Sequence, residues 1–390
     1  MIWAILTGEY PPKPGGVADY TAQLAAALAA AGDSVHGWFP ALGEPPRQPT
    51  GVHLHPLAGR FGPADLAGLD ADLARIPRPR RLLVQYVPHA FGWKAMNLQF
   101  CLWLYRRRRR ERIWAMFHEV AFPVGTGQPL RHNFLGVVTR LMAALVARSA
   151  ERCFVSIPAW IPLLERLRGR RGGIDWLPVP SNLPTAADSE AVATARRRYA
   201  PESGQLLIGH FGTYGELITA LLAEALPRVL ASDDRRVGLL IGRRGQLARD
   251  RMAADHPELR DRLFATGELA PEEVVAHIAA CDLLLQPYPD GMSSRRTSAM
   301  AGLSLGVPTV TTFGRLSEPL WDKEEIVGLA PPGDAAAVAA VCERFLTDPV
   351  ARRDLGRRGR EAYVRRFQVE RTVAVLRASP DTIQCKPRSR

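Results

Sequence analysis

Residues 206–215 read Leu-Leu-Ile-Gly-His-Phe-Gly-Thr-Tyr-Gly, an apolar run that breaks into glycines and then enters an apolar helical stretch at Leu217–Leu230. A run this short and apolar suits a strand buried on both faces, and the glycines suit a tight turn into a helix. The chain opens in the same order. Ile2-Trp3-Ala4-Ile5-Leu6 reads as a strand, Pro11–Gly16 as a loop, and Tyr20–Ala31 as an Ala/Leu-rich helix stopped by Gly32. Further strands are expected at Val35–Phe39, Leu82–Val87, Ile113–Phe117 and Arg152–Val155, then at Val237–Ile241, Leu283–Gln286 and Thr309–Thr312. Strands alternating with helices specify a doubly wound α/β sheet, and here the pattern runs twice.

Between the two runs, Pro178–Ser203 is rich in Pro, Ser, Asn and charge and reads as a linker. The expected division is a first domain over 1–180, a linker over 181–204 and a second domain over 205–368. Residues 369–390 are expected to form a C-terminal helix or tail returning to the first domain. Two Rossmann-like domains would then face each other across a cleft, with ligands at the carboxyl ends of the strands. A length of 390 residues accommodates both.

The composition, 47% hydrophobic and 23% charged, excludes disordered and fibrous classes. The net charge of +12 is carried almost wholly by arginine, since only Lys13, Lys94, Lys323 and Lys386 are lysines. Solvated arginines account for such a surplus, and so does an anionic partner such as a nucleoside diphosphate or an acidic membrane. Cys101, Cys153, Cys281, Cys342 and Cys385 are scattered without a CxxC pair, which fits a reducing cytoplasm and neither a disulfide framework nor a metal site. Met1–Thr7 is too short for a secretory core, and no run is long enough to span a bilayer. The expected location is cytoplasmic, with room for peripheral attachment to a membrane.

Several residues stand where ligands bind in such sheets. Gly15-Gly16 lies in the first strand-to-helix loop, where paired glycines open the backbone and a helix amino end to an anion; an ordinary tight turn uses the same residues. Gly212 and Thr213 belong to a glycine loop at the equivalent place in the second half. It suits a phosphate cradle of backbone N–H groups, or a turn, and lacks the ending of a P-loop. Gln286-Pro287-Tyr288-Pro289-Asp290-Gly291-Met292-Ser293-Ser294-Arg295-Arg296-Thr297-Ser298 leaves a strand and enters a helix with two arginines at its start. Cations oppose the helix dipole there, so Arg295 and Arg296 make sense beside a dianion, with Ser298 adding a hydroxyl. Asp290 is a further candidate in the same turn.

Met292–Thr312, with Ala-Met-Ala-Gly-Leu-Ser-Leu-Gly-Val-Pro-Thr-Val inside it, resembles the donor-binding segment of the retaining glycosyltransferase family 4 (group 1). The Gly15-Gly16 loop, Gly209–Gly215, Thr266-Gly267 with Ala280-Cys281-Asp282, and Glu318 with Pro331-Pro332-Gly333-Asp334 resemble it too, in order along nearly the whole chain. The resemblance implies a GT-B fold and transfer of a sugar from a nucleoside diphosphate donor, with retention and with neither metal nor cofactor. It sets Glu318 near the nucleotide. It also sets His118-Glu119, which ends the Ile113–Phe117 strand, towards the donor sugar as the catalytic pair; a packed histidine would look the same in sequence. His89, after Val87-Pro88, is a weaker candidate of this kind. The chain departs from the family where two glutamates are usual, carrying Ser293 and Ala301, and where a basic pair usually follows the first strand of the second half, carrying His210 and Thr213 or Tyr214.

Trp103-Leu104-Tyr105 runs into Arg106–Arg110 and Glu111-Arg112, with Phe91, Trp93 and Phe100 upstream. This basic aromatic segment suits an anionic membrane surface or a solvated helix end; no motif points to nucleic acid. Two other functions share the architecture: a sugar-nucleotide epimerase or hydrolase, and a non-catalytic nucleotide-sugar-binding partner protein.

Overall fold

The structure is a computed structural model describing residues 1–13, 15–41, 48–92, 94–169 and 172–378. Trp93, Cys385 and the tail beyond residue 378 lie outside the described residues. The chain forms two compact units, 1–179 together with 369–390, and 180–368.

The first unit comprises β1 (Ile2–Thr7), α1 (Gly16–Ala30), β2 (Ser34–Pro40), β3 (Val52–Leu57), α2 (Pro63–Arg75), β4 (Arg80–Tyr86), α3 (Leu98–Arg107), β5 (Arg112–Phe117), α4 (Leu130–Ser149), β6 (Arg152–Val155), α5 (Ile161–Arg168) and β7 (Ile174–Trp176). Its strands pair in parallel in the order β3-β2-β1-β4-β5-β6-β7. Successive residues of each strand enter opposite cores. Ala4 and Leu6 join Leu82, Val84 and Tyr86 on one face, and Trp3 and Ile5 join Leu83 on the other. That double burial is why the strands read as unbroken apolar runs.

The second unit comprises α6 (Ser189–Tyr199), β8 (Leu206–Phe211), α7 (Glu216–Ala231), β9 (Arg236–Ile241), α8 (Gly245–Asp255), β10 (Leu263–Gly267), α9 (Pro271–Ala279), β11 (Leu283–Gln286), α10 (Thr297–Leu305), β12 (Thr309–Thr312), α11 (Leu320–Lys323), β13 (Gly328–Ala330), α12 (Ala335–Thr347) and α13 (Pro349–Arg366). The strand order is β10-β9-β8-β11-β12-β13, again parallel.

The 181–204 segment departs from the linker expectation, because it belongs to the second unit. Asp188 accepts a hydrogen bond from Ala191 N at 2.9 Å and caps α6. Ala195 and Tyr199 are buried in a core shared with Val274, Val275 and Ile278 of α9. The apolar stripe Val192-Ala195-Tyr199 is short, and the three arginines at 196–198 hid it in sequence. The last helix, α14 (Val369–Arg377), packs on α1 in the first unit. Val373 and Leu376 share a core with Leu24 and Leu28, and Leu376 O accepts a hydrogen bond from Arg81 at 3.0 Å.

β4 starts two residues earlier than its apolar pattern, because two buried arginines find partners on the elements around it. Arg80 bonds Glu111 at 2.5 Å and the Ile76 carbonyl at 2.6 Å. Arg81 lies 4.3 Å from the centre of the Trp114 ring.

Candidate active site

In each sheet the chain reverses its winding beside the first strand, between β1 and β4 and between β8 and β11. In doubly wound sheets such reversals mark where ligands bind.

In the first unit, Gly8 lets the loop after β1 touch the segment after β4. A Cβ at Gly8 would lie 2.6 Å from both C and Cβ of Ala90, so a larger residue would force the two apart. The next residue, Glu9, is buried. It pairs with Lys13 Nζ at 2.8 Å, and His89 Nε2 stands 3.9 Å away. Its second oxygen lies 3.2 Å from where a Gly15 Cβ would be. The amino end of α1, expected from Gly15-Gly16 to receive a donor phosphate, thus already faces a carboxylate, which an incoming anion would meet. Gly16 itself borders open space. His89 is half exposed.

His118, just beyond the end of β5, is buried. Its Nε2–H donates to Gln85 Oε1 at 2.8 Å, and Tyr20 packs edge-on at 5.0 Å between ring centroids. Its carbonyl accepts from Ser156 Oγ at 3.0 Å and Trp160 Nε1 at 3.2 Å. Burial pushes the imidazole pKa down to about 3. The ring is therefore neutral at working pH, suited to accept a hydrogen bond and poorly suited to carry a proton. Glu119 is half buried. Gln85 Nε2 and the hydroxyls of Tyr10 and Tyr20 are buried without partners. Burial also pushes the Tyr10 hydroxyl up to about 12 and raises that of Tyr20, so both stay protonated donors. Sequence reasoning passed over Glu9, Gln85 and Tyr20; Glu9 had a signal, since it follows a strand's carboxyl end directly.

In the second unit, the 209–215 loop, which suits a phosphate cradle or a turn in sequence, is a turn fixed by internal bonds. Gly212 N donates to Ile241 O at 3.2 Å, which removes that N–H from any phosphate. Gly212 O abuts the site of a Gly242 Cβ, and Tyr214, at φ 56°, donates its hydroxyl to His210 O at 3.1 Å. Thr213 is exposed. His210 is fully enclosed: Nδ1–H donates to Leu285 O at 2.8 Å, Nε2 has no partner, and burial lowers the ring pKa to about 4.

The 287–298 loop is pinned from two sides. Gly291, at φ +87°, lies against Gly314, where its Cβ would stand 2.7 Å from Gly314 Cα and overlap Ser317 Oγ. Met292 N donates to Thr312 O at 2.7 Å and Leu316 N to Asp290 O at 3.0 Å. Glu318 is buried beneath the loop. One carboxylate oxygen accepts from Ser294 N at 3.0 Å and Ser294 Oγ at 2.5 Å, the other from Trp321 Nε1 at 2.6 Å. Burial raises its pKa, against the lowering effect of these donors. Glu318 is accordingly a clamp holding the 293–296 turn, at the place the resemblance sets near the nucleotide.

That clamp sets Arg295 and Arg296 at the amino end of α10. The Arg296 guanidinium lies 4.6 Å over the Tyr288 ring and 3.8 Å from Asp290 Oδ2. Arg315 reaches the other Asp290 oxygen at 2.6 Å, so two guanidiniums share one carboxylate. Ser298 Oγ is 2.8 Å from the Tyr288 hydroxyl, while Ser293 Oγ is buried without a partner. The structure thus gathers Asp290, Arg295, Arg296 and Ser298 into one loop, whereas Gly212 and Glu318 are engaged internally.

Residues 206–348 match the family model of the group 1 glycosyl transferases. The chain is 25% identical over 280 residues to the 2-deoxystreptamine glucosyltransferase of Streptomyces kanamyceticus, covering 68% of each. Among solved structures it is similar to sucrose-phosphate synthase from Thermosynechococcus elongatus, with TM-score 0.70, 19% identity and 96% and 97% of the two chains covered. It is also similar to Anabaena HepE in complex with UDP and glucose, with TM-score 0.65, 15% identity and 99% of each chain covered. With the two doubly wound sheets, these matches make the protein a glycosyltransferase of GT-B fold whose residues 206–348 resemble group 1.

Among the described residues no helix is long and apolar enough to cross a membrane. The aromatic part of the Trp103–Arg112 segment does not face outward as expected. Phe91 and Phe100 belong to the core, and Trp103 bonds Asp70 at 2.8 Å beneath Arg107. Glu111 is buried between Arg78 and Arg80. Arg106, Arg109, Arg110 and Arg112 are exposed.

Proposed function

We propose that the protein moves a sugar from a nucleoside diphosphate sugar, with uridine as the base, to an acceptor hydroxyl, and that the anomeric configuration is retained. The observation that carries this reading is the loop holding Arg295 and Arg296 at the start of α10, pinned by Gly291 against Gly314 and by Glu318 from below. A charge-assisted contact from guanidinium to diphosphate, aided by the helix amino end, stabilises the leaving group as its charge develops. In this reading the arginines supply the positive charge, no metal takes part, and turnover survives EDTA. Uridine is favoured by the likeness to HepE, whose complex holds UDP and glucose. Retention follows from the family resemblance. Ala301, where the resemblance has a glutamate, is fully buried and offers no carboxylate.

The first unit holds the acceptor in this reading, with His118 accepting a hydroxyl hydrogen bond and Gln85 and Tyr20 donating. The exposed arginines of the 103–112 segment add attraction to an anionic membrane surface, each contributing about 1 kcal/mol near such a surface. Titration with UDP, UDP-glucose and the corresponding guanosine and thymidine compounds tests the donor. Product anomer assignment by NMR tests retention. Hydrolysis or epimerisation in the absence of any acceptor, at the rate seen with one, overturns the transferase assignment of the donor site.

A further inference from the structure

The helix α4 turns one apolar face outward. Leu130 is 88% exposed, Phe134 63%, Val137 58% and Leu141 50%. Their spacing of four, three and four residues lines them along one side of the helix, while Thr139, Met142, Ala143 and Val146 on the other side are buried. Scattered exposed leucines are ordinary, but four in line over about 16 Å of helix form a continuous patch. The charge carried by the helix itself has one sign. Arg131 and Arg148, towards the two ends of the helix, are exposed, and the twenty residues of α4 include no Asp or Glu. α3 packs on α4, adds exposed Leu102 and Arg106, and also lacks a carboxylate. Where the two helices end, Arg108, Arg109, Arg110 and Arg112 outnumber Glu111 and Glu151 in the lining of an open cavity of about 530 Å³.

We propose that the outer face of α4 docks on an anionic lipid bilayer. The helix lies in the plane of the interface, the Leu130–Leu141 stripe enters the acyl boundary, and the surrounding arginines meet lipid phosphates. The proposal rests on the membrane attraction of the arginine run for its charge, and moves the apolar contact from the Trp103 segment to α4. A second copy of the chain fits this face poorly, since a symmetric contact would set arginines against arginines with no carboxylate on either helix.

The test uses the full chain and extruded vesicles of phosphatidylcholine, with or without 30% phosphatidylglycerol. The parent should partition onto the anionic vesicles at least tenfold more strongly than onto neutral ones. The double variant Phe134→Ser, Val137→Ser should lose at least tenfold of that binding, with its melting temperature and its turnover on a water-soluble acceptor unchanged. Phe134→Trp should be quenched by brominated lipids beyond the quenching of the parent's own tryptophans. Three results overturn the proposal: a parent that ignores anionic vesicles, a double variant that binds like the parent, or a parent dimer that the double variant converts to monomer. If Arg106→Ser, Arg109→Ser, Arg110→Ser abolishes binding and the double variant does not, the stripe plays no part and the arginine reading stands alone.

Discussion

Replacing Gly291 by alanine should do more damage than any other single methyl in the second unit's ligand loop. Two costs add. At φ +87° an L-residue carries backbone strain of about 1–2 kcal/mol that glycine escapes. The new Cβ would also lie 2.7 Å from Gly314 Cα, with Ser317 Oγ closer still, so the 287–292 and 313–318 loops must part. Overpacking of that kind costs about 1–3 kcal/mol. The sum is about 2–5 kcal/mol, which for a domain of this size lowers the melting temperature by about 5–20 °C. Because the displaced loop carries Arg295 and Arg296, UDP affinity should fall along with stability. Differential scanning fluorimetry with and without UDP reads both, and Gly16→Ala is the control, since open space surrounds that position. A Gly291→Ala protein melting within 2 °C of the parent and binding UDP equally well would refute the view that contact between these loops positions the arginines.

Arg295→Ala or Arg296→Ala should weaken UDP binding by about 1.5–3 kcal/mol and leave uridine binding untouched, read by calorimetry; equal losses for both ligands would show the arginines shaping the fold. His118→Ala should lower turnover tenfold or more while the pH–rate profile keeps its acid limb, because an imidazole with a pKa of about 3 does not titrate between pH 5.5 and 8. A limb that vanishes with the imidazole would make His118 the proton carrier after all. His118 and His210 fold with pKa values of about 3 and 4, below the roughly 6.5 of a free imidazole. The unfolded chain therefore binds more protons between about pH 4 and 6.5, and stability is full above that window and falls as the pH drops through it. Melting curves from pH 7.5 to 4.5 should show this, and His210→Gln, which removes one of the two buried rings, should flatten them.

The paired sheets were legible because strands buried on both faces must be apolar at every position, as at Ile2–Leu6 and Leu206–Ile208. What escaped was structure whose apolar content is thin or whose charge is paired at long range. The α6 stripe consists of Val192, Ala195 and Tyr199 among arginines. The start of β4 needs Glu111, 31 residues beyond Arg80, to make a buried arginine tolerable. The arginine loop at 295–296 could be found from sequence, since cations at a helix start violate the dipole rule. The commitments of Gly212 and Glu318 could not, since they depend on Ile241, Trp321 and Ser294 meeting in space. The Trp103 segment shows the same limit in reverse, because composition does not reveal which ring faces the core.

The return of α14 to the first unit bears on how the protein is made and divided. Residues 180–368 are one continuous stretch, so the second unit can fold as soon as it has left the ribosome. The core of the first unit is completed only later, because the partners of Leu24 and Leu28 on α14 are almost the last of the described residues to be synthesised. During synthesis its α1 surface stays bare for the time taken to make roughly 190 further residues. A gene cut after residue 368 leaves that surface bare for good. An isolated first unit with its core complete therefore carries the 369–378 segment along with residues 1–179.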